Sequence, residues 1–168
     1  MRQAAPAERR ATAAAGLTRR AAQGVLLALL TTSCATSPLP PADLEAPGWQ
    51  VRHGQAVWRP RRDAAELAGE LLVATHPDGD FVVNFSKPPL DLVVARRSGT
   101  RWQIDYPLEA RRLAGHGAPP ARLLWLHLAD ALSGRPTRPP VTFEPSARRT
   151  WRLSNPKTGE SIEGFLTP

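Results

Sequence analysis

The chain has a single cysteine, Cys34, in 168 residues. That excludes an intramolecular disulfide and any zinc site built on paired thiolates. Histidine is almost as sparse. His53, His76, His116 and His127 stand apart with no His-Glu-x-x-His spacing among them, so the zinc-protease pattern is missing. No apolar run approaches the roughly 20 residues that a membrane-crossing helix needs. Gly115-His116-Gly117 lacks the strand-to-helix setting of a phosphate loop. No nucleophile elbow occurs either. His127, Asp130 and Ser133 crowd one helix end, which does not set a nucleophile, a base and an orienting acid in line. Asp91 and Asp105 alternate outward from apolar faces and read as solvated, not as a glycosidase pair. No enzymatic activity, cofactor or metal is expected.

What is present starts at the amino terminus. Met1 to Arg20 carries five arginines and one acid, Glu8; the apolar run Val25–Leu30 and the small polar residues Thr31, Thr32 and Ser33 follow. A basic, then apolar, then small-residue order is that of a secretory signal peptide. The segment Leu30-Thr31-Thr32-Ser33-Cys34 resembles the bacterial lipobox, with Thr31 where the pattern prefers Leu. The resemblance implies cleavage before Cys34 and a diacylglyceryl group on its sulfur. Two or more acyl chains, at about 0.8 kcal/mol per buried methylene, hold a protein on a bilayer. Ala35 follows the cysteine, and by resemblance to Gram-negative lipoprotein sorting it is not an inner-membrane retention signal. The expected location is the periplasmic face of the outer membrane, by lipid anchor.

Residues 1–33 are therefore read as leader, 34–48 as a lipidated proline-rich tether and 49–168 as one β-rich domain. The part after the leader carries 17 basic and 14 acidic residues, a net of +3. Most of the chain's excess positive charge thus leaves with the leader. A mildly cationic face near anionic headgroups fits this balance, and nucleic acid is not an expected partner.

The body alternates. Trp49–Trp58 predicts a strand kinked near Gly54, and Asp63–Ala68 a helical turn or irregular join. Glu70–His76 and Asp80–Ser86 predict strands around Pro77-Asp78-Gly79, where Pro presets φ and Gly takes the positive φ that ends the turn. Phe81, Val83 and Phe85 share one face, at the two-residue period of a half-buried strand. Leu90–Arg96 puts Leu90, Leu92 and Val94 on one side. Arg101–Tyr106 sets Trp102, Ile104 and Tyr106 against Arg101, Gln103 and Asp105. These segments read as an antiparallel meander. A helix is expected over Ala121–Leu132, with Pro119-Pro120 before it and Gly134 after. Its stripe of Leu124, Leu128 and Leu132, widened by Trp125 and Leu123, should face the sheet. Val141–Phe143, Thr150–Ser154 and Ser161–Leu166 complete the strands. The expected fold is α+β, mainly β: a curved antiparallel sheet with one main helix against it.

This order resembles the outer-membrane lipoprotein-localisation factors, the LolA/LolB-like family. The features that carry the resemblance are GWQVRHGQAV at the start of the body, NFSKPPLDLVVA with its proline loop, LAGHGAPPARLLWLHLADALSGRP around the helix, and ESIEGFL near the end. The lipobox agrees with the LolB type. The family implies a half-open barrel capped by helix that shelters acyl chains of lipids or lipoproteins, with a periplasmic carrier protein as a possible partner. Phe81, Val83, Phe85, Leu92, Val94, Trp102, Ile104 and Trp125 would line the cavity, and Leu90 would sit on the loop that inserts into the membrane. The competing expectation is an assembly lipoprotein that binds an envelope protein by strand addition, with a small hydrolase using His127 as a third.

Overall fold

The computed structural model describes residues 37–146 and 149–167. Cys34 and the expected leader, residues 1–33, lie outside them. Two antiparallel meanders make up one sheet. The first runs β1 (Gln50–Arg59), β2 (Leu67–Thr75), β3 (Phe81–Lys87), β4 (Leu90–Ser98), β5 (Arg101–Tyr106) and β6 (Arg111–His116). Helix α1 (Trp125–Leu132) follows, then β7 (Thr142–Pro145), β8 (Thr150–Asn155) and β9 (Glu160–Leu166). β9 returns beside β1, so the nine strands stand in the order β6-β5-β4-β3-β2-β1-β9-β8-β7. Among the described residues the edges β6 and β7 are not paired to each other, and the sheet is open. The mainly β expectation, an antiparallel sheet with one helix, is borne out at that level.

Local chemistry places the turns. His76 and Asp80 close the Pro77-Asp78-Gly79 turn with the His76 N–H donating to the Asp80 carbonyl at 2.9 Å, and Gly79 takes φ +93°. Gly54 causes no kink: β1 runs through it. It is glycine because β9 passes so close that a Cβ there would collide with the Phe165 carbonyl. β6 is absent from the sequence reading. Its residues, RRLAGH, have no alternation, and they form a strand because β5 offers them a free edge.

β4 departs from the expected parity. Phe85 pairs with Val93 but Ser86 pairs with Asp91, which leaves Leu92 as an extra residue, a β-bulge. Beyond the bulge the inward positions are Val93 and Ala95, both fully buried. Leu92 still packs on the core. Val94 does not: it pairs with Asn84 on the opposite face. A one-residue slip reverses every later side chain, so Val94 leaves the expected inner set and Val93 enters it.

The sheet curls strongly. Trp58 on β1 and Tyr106 on β5 lie four strands apart in the sheet order. On a flat sheet that is roughly 19 Å, yet their rings stack with centroids 6.3 Å apart. The inner face is thus a trough, and α1 lies inside it. Trp125, Leu126, His127, Leu128, Ala129 and Ala131 of the helix are all buried. A helix covered nearly all round is a core element, more plug than cap. It is also shorter at its start than expected: residues 121–124 approach it through turns that bond three residues back, such as Leu126 N–H to Leu123 at 3.0 Å.

The expected tether, 34–48, does not run free over its described part. Leu39 is buried on the outer face of the sheet, and the Leu39 N–H donates to Gln103 Oε1 at 2.8 Å.

Candidate functional site

The inner wall of the trough is where the sequence-derived candidates meet. Phe81, Val83, Phe85, Ile104 and Trp125 are at most 1% exposed and Trp102 is 8% exposed. All belong to one hydrophobic cluster that also takes in Trp58, Tyr106, Trp151, Leu153 and Ile162. Strands from both meanders therefore contribute to a single interior. Leu92 reaches its margin from the bulge. Leu90 stands elsewhere, half exposed, at the start of β4 beyond the Pro88-Pro89 turn.

This interior is filled. The Trp125 ring stacks on Phe85 with centroids 5.0 Å apart and meets Trp58 edge-on at 5.7 Å. None of the main surface clefts is lined by Val83, Phe85, Trp102, Ile104 or Trp125. The helix side chains occupy the space that the sheet encloses.

Polar groups inside the trough are few and specific. Glu160, 7% exposed at the start of β9, accepts a hydrogen bond from the Trp58 indole at 2.9 Å. Burial raises its carboxyl to about 7, against the smaller opposing effects of the Trp58 bond and the Leu124 backbone. Burial, reinforced by the nearby Glu160 charge, pushes the Tyr106 phenol up to about 12. Among the described residues the indole N–H groups of Trp102, Trp125 and Trp151 are buried with no acceptor. An unpaired buried donor costs on the order of 1–3 kcal/mol. Trp102 lies flat across Gly115 of β6, where any Cβ would strike its ring.

The opposite end of the trough is polar. Arg97 at the end of β4 donates through Nη1 and Nη2 to both carboxylate oxygens of Asp130 on α1, at 2.8 and 2.9 Å. Its Nε also donates to the Gly79 carbonyl at 2.8 Å. Arg135 adds a bond to Asp130 at 3.0 Å. A cleft of about 420 Å³ opens here, lined in part by Thr100, Pro119, His127, Arg135 and Arg138.

The three residues of the hydrolase reading do not assemble. His127 Nε2 is 3.2 Å from the Pro120 carbonyl, and burial, partly offset by that carbonyl and by Asp130, leaves its imidazole below the ordinary range. The Ser133 hydroxyl donates back to the Ala129 carbonyl at 2.8 Å. Asp130 is engaged by arginines.

Asp105 corrects another expectation. It is not solvated: its side chain is 14% exposed and takes hydrogen bonds from Arg112, from Gln103 at 2.6 Å and from Arg96 at 3.1 Å. Burial alone would raise its carboxyl; the three donors outweigh burial and hold it below the usual carboxylate range. Asp91 accepts from Asn84 at 3.0 Å.

Sequence reasoning missed Glu160 and Trp58 as parts of the site, and the Leu39–Gln103 contact on the outer face. Only Trp58 left a trace, as the last residue of an apolar strand. A glutamate at a strand start gives no sign that it will be buried. No protein-family model matches the chain, and no curated protein matches it.

Proposed function

We propose that this chain is an outer-membrane-anchored lipoprotein, LolB-like in fold, that shelters acyl chains of lipids or lipoproteins in its trough and helps pass them to the membrane. The observation that carries this reading is the 6.3 Å approach of Trp58 and Tyr106 across four strands, which makes a curled, apolar enclosure open at both sheet edges. Helix α1 is the resident plug. It offers the trough the same kind of apolar surface that a cargo chain would, so exchange replaces one set of contacts by another.

Such competition suits transfer. Each acyl methylene gains about 0.8 kcal/mol on burial, and a permanently empty trough would hold a whole chain too tightly to release it. An eight-residue helix is not stable alone in water, so displacing α1 costs the trough its ordered plug and keeps net affinity moderate. The unpaired indole donors of Trp102, Trp125 and Trp151 are groups that an ester or amide carbonyl of an acylated cargo would meet.

The test has two parts. Delipidated protein titrated with a fluorescent fatty acid should take it up with a change in tryptophan emission, and intact mass of the exported protein should show acylated Cys34. Failure to take up any acyl probe sinks the carrier reading. One observation favours a second reading, a protein-binding assembly lipoprotein: the interior is already packed, and among the described residues β6 leaves a six-residue edge unpaired. β7 is a poorer edge, being four residues long and ending at Pro145. A photo-crosslinker at Ala114 that captures a protein, together with no acyl uptake, would decide for strand addition.

A further inference from the structure

The segment Ser37–Pro40 is strapped to the outer face of the sheet by four residues of β4 and β5. The Leu39 side chain is 6% exposed. Its N–H meets Gln103, which is itself fully buried. Arg96 Nη1 donates to the carbonyls of both Leu39 and Pro40 at 3.2 Å. Arg96 and Gln103 are in turn held by Asp105, at 3.1 and 2.6 Å. Arg101 reaches the Ser37 carbonyl. Burial of the Leu39 side chain and the hydrogen bonds to its backbone act together to hold the segment on the sheet. The path runs along β5 from Gln103 up to Arg101, toward the β4–β5 turn.

From this geometry we infer that the strap fixes which end of the domain faces the bilayer: the end carrying Thr100, Arg135 and Arg138 lies against the headgroups, and the Leu90 end points away. The inference rests on the Cys34 anchor proposed above. Only Ala35 and Thr36 lie between Cys34 and Ser37, and those three Cα-to-Cα steps reach at most about 11 Å. Ser37 is bonded to Arg101, which pairs with Ser98 at one end of β4. Leu90 is at the other end of that nine-residue strand, roughly 26 Å away. The anchored end therefore meets the membrane first. The surface partner is a phospholipid headgroup layer, which the cleft beside Thr100 can meet with the guanidinium groups of Arg135 and Arg138 at its rim.

The test places a photo-crosslinking residue at Thr100 or at Leu90 in the full chain, exported by a bacterium, and measures lipid adducts by mass spectrometry. Thr100 is expected to label lipid severalfold more than Leu90. Equal labelling, or more at Leu90, overturns the inference. The double variant Leu39→Ser with Gln103→Leu should release the strap and level the two positions while near-ultraviolet circular dichroism stays native. Persisting asymmetry in that variant would show that the strap does not set the orientation. If the exported protein carries an unmodified Cys34, the anchor reading fails on its own. The same proteins, coupled through Cys34 to a maleimide lipid in phosphatidylcholine–phosphatidylglycerol vesicles, then still decide the orientation by the same two positions.

Discussion

The two ends of the trough are held by different chemistry. At one end Trp58, Phe85, Tyr106 and Trp125 pack ring on ring, with Glu160 buried among them. At the other, Arg97, Asp130 and Arg135 tie the last turn of α1 to β4 through bonds at a partly exposed margin. Ring packing gains from every square ångström removed from water. Ion pairs of partly exposed groups gain far less. The helix is therefore anchored firmly at its amino-terminal end and lightly at its carboxy-terminal end, and a plug that yields should yield from the arginine end first.

The largest expected effect falls at the aromatic end. Trp125→Ala removes the ring between Phe85 and Trp58 and should cost about 3–5 kcal/mol in urea unfolding. A loss below about 1 kcal/mol would mean that the aromatic end does not anchor the helix.

Next comes pH. The folded chain holds Glu160 protonated up to about 7, against an ordinary value of 4.5. The folded state binds that proton more tightly than the unfolded chain does. Its contribution to stability is fully present below pH 4.5 and is lost as pH rises through about 7. The loss is of order 3 kcal/mol, at about 1.4 kcal/mol for each pH step. Glu160→Gln should flatten this part of the stability–pH curve, and an unchanged slope would place the carboxyl in water.

At the arginine end, Arg97→Met should cost about 1–3 kcal/mol, since Arg135 still holds Asp130. Hydrogen exchange should speed up in residues 129–133 more than around Trp125. Uniform exchange along the helix would erase the difference between the ends. The smallest effect belongs to Arg152→Ala, which breaks an exposed pair with Glu163 on the outer face. It should change the unfolding free energy by less than about 1 kcal/mol, and a larger change would mark the outer face as structurally coupled to the trough.

Much of the fold was legible residue by residue. Trp102, Ile104 and Tyr106 point inward and Arg101, Gln103 and Asp105 outward, as the alternation predicts. The Pro77-Asp78-Gly79 turn forms where its chemistry puts it. Legibility ended where a neighbour decided the matter. The bulge at Leu92 reversed Val94, because a register slip depends on how β3 and β4 fit and leaves no mark in the apolar pattern. β6 formed because β5 had bonds to give. Asp105 and Gln103 face outward as expected, yet they are buried, since alternation gives a direction and not what lies over it.

The sequence by itself determined the lone thiol after a basic and then apolar segment, the β-rich character of the body and the position of the described helix α1, because these depend on composition and on short-range periodicity. Only the tertiary structure decided that the sheet curls until Trp58 touches Tyr106, that the helix sits within that curl, and that Leu39 lies pinned on the far face. Those are contacts between residues distant in the chain, and distance in the chain carries no physical record of which surfaces will meet.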